Sequence, residues 1–135
     1  MTLINWNDSL SVGVAEIDRQ HKNLIAMINE LDNAMRVGKG KDVIGRIVDD
    51  LIIYTATHFR IEEKYFAQFG YPGAEKHKKE HAAFVKKVAD FNNGFGKGKL
   101  ALTTEVMSFL SDWLKNHIMG TDKEYTNFFN EKGLK

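Results

Sequence analysis

The 135-residue chain contains no cysteine. That absence excludes disulfides, thiolate zinc sites, iron–sulfur clusters and a cysteine nucleophile, so any metal must be held by nitrogen and oxygen. Proline occurs once, at Pro72, and strand-like alternation is scarce, which predicts an all-helical chain. Charge of one sign is missing too. The 19 Lys and Arg against 18 Asp and Glu leave a formal +1 and no large field for nucleic acid or an anionic membrane. No apolar run approaches the ~20 residues of a membrane span, and MTLINWNDSL lacks the basic and apolar stretches of a signal peptide. The expectation is a single soluble, cytoplasmic domain over residues 1–135, long enough to bury a core without staples.

What the chain does contain is helical period. Apolar positions recur as Ile17, Leu24, Ile28, Leu31 and Met35, ending at VGKGK. A second pattern, Val43 to Phe69, is closed by Gly70 with Tyr71-Pro72 as a stop. A third runs from about Gly73 to Asn93. A fourth runs from about Ala101 to Met119 and stops at Gly120, after which Thr121 offers a cap for a short final helix. Four helices of similar length joined by short loops predict an up-down-up-down bundle. The first sixteen residues hold Trp6 but no clear period, and are expected to form an extended arm packed on the bundle.

All five histidines fall on the core-facing stripes of these helices. His21 lies between Ile17 and Leu24; His58 continues Ile44, Ile47 and Leu51; His77 and His81 lead into Phe84, Val88 and Phe91; His117 follows Val106, Leu110 and Trp113. A single histidine in such a place is more often a satisfied core residue than a ligand. Five from five would carry a heavy desolvation cost as unpaired imidazoles, and a metal removes that cost by taking one nitrogen of each ring.

Two carboxylates complete the set. Glu62 follows His58 by four and shares its helix face, whereas Glu63 points about 100° away and reads as solvated surface. Asp122 follows His117 by five, about 140° round a continuous α-helix, so a chain break at Gly120 and Thr121 is needed to swing it inward. Taken alone, Asp122 reads better as a first-turn acid stabilised by the dipole of the terminal helix; beside His117 and the other four histidines it reads as a ligand. Two metals sharing five imidazoles, two bridging carboxylates and one bridging solvent oxygen would have about eleven of twelve octahedral positions filled. That nitrogen- and carboxylate-rich set with one vacancy suits iron better than zinc or calcium.

In order along the chain, IDRQHKNL, HFRIE, HKKEH and HIMGTD resemble the ligand motifs of the bacteriohemerythrins, single-domain bacterial members of the hemerythrin family. Trp6 and SVGVAEIDRQH resemble that family's N-terminal arm, so the resemblance covers essentially the whole chain, and no ligand position departs from it. It implies a di-iron centre with His77, His81 and His117 on one iron, His21 and His58 on the other, and Glu62 and Asp122 bridging, with an oxo or hydroxo group between the irons. It implies reversible dioxygen binding at the two-histidine iron, for storage, delivery or sensing, and no enzymatic step. Leu24, Phe59, Trp113, Leu114 and Ile118 flank the ligands and are expected to form the apolar walls around dioxygen. A peroxidase-like or nitric oxide-handling enzyme, or a signalling module responding to oxygen or iron, uses the same site and stays open as an alternative. Delivery would add an oxygen-consuming enzyme as partner. With no further apolar stripe, a monomer is expected.

Overall fold

The computed structural model describes residues 4–98 and 102–135. Four long helical stretches run up, down, up and down: α1 Ala15–Arg36, α2 Gly40–Phe69, α3 Ala74–Gly96 and α4 Leu102–Trp113. No strand occurs among the described residues. The expected start of the fourth helix at Ala101 lies outside them. No described helix is long and apolar enough to cross a membrane.

Helix bounds follow the apolar stripes. On α1 the buried positions are Ile17, His21, Leu24, Ile25, Ile28 and Leu31, and on α3 they are His77, His81, Phe84, Val88 and Phe91. Lys76, Lys78 and Lys79 occupy the wet side of α3. Helix α2 ends as its sequence indicates. Gly70 adopts a left-handed conformation (φ 66°, ψ 44°) and its N–H, like that of Tyr71, bonds the Phe66 carbonyl.

The fourth helix departs from expectation. Gly120 does not stop it: Leu114–Thr121 continues as a π-helical stretch, then a 3-10 turn, Asp122–Tyr125, leads into a short helix α5, Thr126–Glu131. Thr121 is helical (φ −59°, ψ −44°) and caps nothing.

Two apolar clusters stack along the bundle. The larger runs through Leu24, Ile28, Leu31, Leu51, Val88 and Leu110. The smaller, made of Val12, Val14, Ile17, Phe66, Tyr125 and Phe129, seals the end where α1 begins and α2 finishes. The N-terminal arm belongs to this seal. It contains a 3-10 turn, Asp8–Leu10, and then crosses α5, where Thr126 Oγ1 donates to the Val12 carbonyl (2.7 Å) and Asn130 Nδ2 to that of Gly13 (3.0 Å). Gly13 has φ 75°, and a Cβ there would come within 2.8 Å of the Thr126 methyl, so only glycine permits this crossing. Asp18, in the first turn of α1, accepts from Val12 N (2.8 Å) and Ser11 Oγ (2.5 Å), pinning the arm to the helix. Trp6 is half-buried against the larger cluster.

Candidate metal centre

Between the two clusters, α1, α2, α3 and the π-helical stretch and 3-10 turn that follow α4 bring seven polar side chains to one point. His21, His58, Glu62, His77, His81, His117 and Asp122 are each at most 2% exposed. They form two overlapping groups, within each of which one nitrogen or oxygen per residue lies within 4.8 Å of all the others. One group is His77, His81, His117, Glu62 and Asp122; the other is His21, His58, Glu62 and Asp122. The two carboxylates belong to both. Asp122 Oδ2 lies 3.1 Å from His21 Nε2, while its Oδ1 lies 2.7 Å from His77 Nε2 and 2.9 Å from His117 Nε2. Glu62 Oε1 sits 3.0 Å from His58 Nε2 and 3.1 Å from His81 Nε2.

These short contacts are not hydrogen bonds. Nε2 of His77, His81 and His117, Oε1 of Glu62 and both oxygens of Asp122 are buried without a hydrogen-bonding partner among the described residues, because the atoms approach without the alignment a shared proton requires. Each buried polar group left this way costs about 1–3 kcal/mol. A cation drawing on all these lone pairs at once removes that cost, and the nitrogen-and-oxygen donor set fits iron.

The titration behaviour agrees with a cation site. Burial raises the Glu62 and Asp122 carboxyls, and the Asp122 charge adds to this for Glu62. The imidazoles of His58 and His81 around the first, and of His117, His21 and His77 around the second, outweigh burial and hold both below the ordinary carboxylate range. Burial pushes His58 down, keeping it neutral. His117 is the exception. Burial lowers it, but the charges of Asp122 and Glu62 and the bonds to Asp122 and Glu80 raise it above the ordinary imidazole value.

Asp122 reaches the centre by a route that a count of α-helical turns does not anticipate. No chain break occurs at Gly120. Instead the helix widens, and Asp122 N–H donates to the His117 carbonyl, the i to i+5 bond of a π-helix. Positions five apart, out of line on an α-helix, are stacked by that bond. Gly120 has no φ in the left-handed region and faces open space.

Outside the seven donors, a further set of side chains ties down the rings. His58 Nδ1 meets Gln20 Oε1 at 2.5 Å, His81 Nδ1 meets Glu63 Oε2 at 3.0 Å, and His117 Nδ1 meets Glu80 Oε1 at 2.9 Å. A donor at Nδ1 leaves Nε2 as the inward lone pair, the usual arrangement of metal-binding histidines. Thr121 Oγ1 donates to both Glu80 oxygens (2.9 and 3.2 Å), and Tyr125 donates to Glu62 Oε2 at 2.6 Å. Glu63 is thus no plain surface acid: though partly exposed, it holds His81. Gln20, Glu80 and Tyr125 were not singled out from the sequence. Gln20 and Glu80 each immediately precede a histidine, but that adjacency alone carries no signal.

The five expected pocket residues are found in two arrangements. Leu24, Leu114 and Ile118 are buried within the larger apolar cluster. Phe59 and Trp113 do more than line a wall. Phe59 stacks on His81 (centroids 3.8 Å apart, 5° between planes) and Trp113 stacks on His117 (3.8 Å, 12°).

Residues 12–128 match the family described as Hemerythrin HHE cation binding domain. The chain is 36% identical to a bacteriohemerythrin of Stenotrophomonas maltophilia over 127 residues, spanning 94% of this chain and 82% of that protein. It is 35% identical to a bacteriohemerythrin of Clostridium acetobutylicum over 125 residues, 89% of this chain and 96% of that one. A crystal structure of wild-type hemerythrin superposes with a TM-score of 0.82 at 33% identity, covering 93% of this chain and 96% of that one.

Proposed function

The chain belongs to the hemerythrin family, and from that premise we propose that it binds dioxygen reversibly at a pair of irons. The observation that carries this reading is the convergence of buried, unpartnered donor atoms from seven side chains. His77, His81 and His117 would hold one iron, His21 and His58 the other, with Glu62 and Asp122 shared. When bound, the irons supply the electrons that dioxygen accepts on binding and returns on release.

The remaining work falls to the protein. The two-histidine side has one imidazole fewer, so it is the side where the chain leaves room for a diatomic ligand. Leu24, Leu114 and Ile118 keep water from that space, and Phe59 and Trp113, stacked on His81 and His117, close the aromatic flank of the other half. Gln20, Glu63 and Glu80 hold the rings so that lone pairs point inward. Five imidazoles against two carboxylates give less anionic charge than the carboxylate-rich di-iron enzymes of other four-helix bundles, which favours binding over oxidation of a substrate. A store or carrier of dioxygen is the function this arrangement serves best.

Anaerobic reduction of the iron-loaded protein, followed by oxygen titration, tests the reading. A visible band that grows with oxygen and disappears on its removal is the expected result. A chain that holds a single iron or only zinc, or whose band never reverses, overturns it. Sustained peroxide turnover with an electron donor would point to an enzyme.

A further inference from the structure

Two phenols are buried beside the seven donors, and they are treated differently. Tyr125 donates to Glu62. Tyr54 has no acceptor among the described residues: its hydroxyl is buried without a partner there, in a residue that is 6% exposed. It lies on α2 one turn before His58, and its ring stacks on that imidazole with centroids 4.9 Å apart and 15° between planes. Tyr54 also forms part of the wall of a cleft of about 290 Å³ beside α1 and α2, together with Gln20, Met27, Thr57 and His58. That cleft offers small solutes an approach to the two-histidine side. Trp113 Nε1 is likewise buried and unpartnered, but its ring stacks on His117, in the three-histidine half.

We propose that Tyr54 is the hydrogen-bond donor for a small anionic ligand on the two-histidine side, an anion of two or three atoms such as azide or reduced dioxygen. This rests on the di-iron reading above. Neutral dioxygen gains little from such a donor, whereas a ligand that has taken on charge gains a charge-assisted hydrogen bond. Glu62 and Asp122 are ionised acceptors and Leu24, Leu114 and Ile118 are aliphatic, so none of these donates. Tyr54 is therefore a residue that discriminates by ligand charge, holding the anionic form.

Azide added to the oxidised, iron-loaded protein is the probe, so the experiment does not depend on reversible dioxygen binding. Tyr54→Phe keeps the ring and its stacking and removes only the O–H. The azide dissociation constant is expected to rise about tenfold or more, as for loss of one hydrogen bond to a charged group. The bound-azide vibration should shift between H2O and D2O in the unaltered protein, and that shift should vanish in Tyr54→Phe. Tyr65→Phe, which removes a hydroxyl bonded to Glu16, should leave both measurements unchanged. A vibration insensitive to D2O in the unaltered protein, or an azide affinity indifferent to Tyr54→Phe, overturns the proposal alone. Metal analysis showing no di-iron pair overturns it together with the reading it rests on.

Discussion

The two halves of the centre use the same donor atoms and are finished differently. On the three-histidine side the outer partners of His81 and His117 are carboxylates, Glu63 and Glu80, and both rings carry a flat aromatic neighbour at 3.8 Å. On the two-histidine side His58 is tied to the neutral amide of Gln20, and the stacked ring, Tyr54, stands further off at 4.9 Å; each half also holds one ring, His21 or His77, whose Nδ1 has no partner among the described residues. A carboxylate behind an imidazole makes it a stronger donor as well as fixing its orientation, whereas an amide only orients it. Burial raises the Glu80 carboxyl, but hydrogen bonds from His117 and Thr121 outweigh this and hold it below the ordinary range, so it stays anionic at neutral pH. The two halves thus differ in what backs and flanks their rings.

The largest effect should come from the residues common to both halves. Glu62→Ala removes an oxygen facing His58 and His81 and strands the Tyr125 hydroxyl. Iron content should fall from about two per chain to near zero, with lower thermal stability, because metal binding is coupled to folding. Retention of both irons would mean that Glu62 does not bridge. His77→Ala should likewise lose metal, from the three-histidine half first, while the exposed Lys78→Ala does nothing; equal metal content in the two would dissolve the distinction between wet and dry faces of α3.

Next come the outer partners, which test the comparison most directly. Glu80→Gln and Glu63→Gln should each weaken metal retention by roughly 10–100-fold, as such substitutions do elsewhere, in competition with a chelator. Glu80→Gln should be the stronger, because Glu80 also accepts from Thr121. Gln20→Glu moves the other way: it gives the two-histidine half the anionic partner it lacks, and tighter metal retention there is expected. Indifference to all three would show that the asymmetry has no energetic content.

On the ligand side, Leu114→Ser and Leu24→Ser should leave two irons in place and speed loss of the oxygenated band by about tenfold, since each lets water approach a dry space at a cost of order 1–3 kcal/mol in polar exclusion. The decay is measured where the variants are fully folded, and an unchanged rate would reduce these leucines to ordinary core. The smallest effect is expected at Gly120. Its Cβ position faces open space, so Gly120→Ala should leave iron content and melting temperature nearly unaltered, while Gly13→Ala, strained by its φ and by the Thr126 methyl, should lower stability. A severe defect in Gly120→Ala would mean that the π-helical stretch needs glycine.

Much of this molecule could be read in its residues. His58 and Glu62, or His77 and His81, four apart on an apolar stripe, share a face wherever the stretch is α-helical, and the absence of cysteine restricts the metal donors to nitrogen and oxygen whatever the fold. Asp122 was legible as a donor but not by the right path: a spacing of five contradicts the α period, and a break at Gly120 was the local remedy, whereas the chain widens into a π-turn and stays helical. Glu63 was misread for a related reason. A residue 100° from the ligand face of its own helix points at a neighbouring helix as readily as at water.

The sequence by itself determined the inventory and the local geometry: four amphipathic helices, five inward histidines, two inward acids, and a donor chemistry suited to iron. Relations within one helix follow from its period, and that period is written in the spacing of apolar residues. Which side chain of one helix meets which side chain of another was decided only by tertiary structure. Gln20 against His58, Glu63 against His81, Glu80 against His117 and Tyr125 against Glu62 are separated by 38, 18, 37 and 63 residues. Their meeting depends on the relative height and rotation of packed helices, which no local spacing encodes. The same holds for Tyr54, whose unpartnered hydroxyl is visible only once the surrounding core has closed and left it without a neighbour.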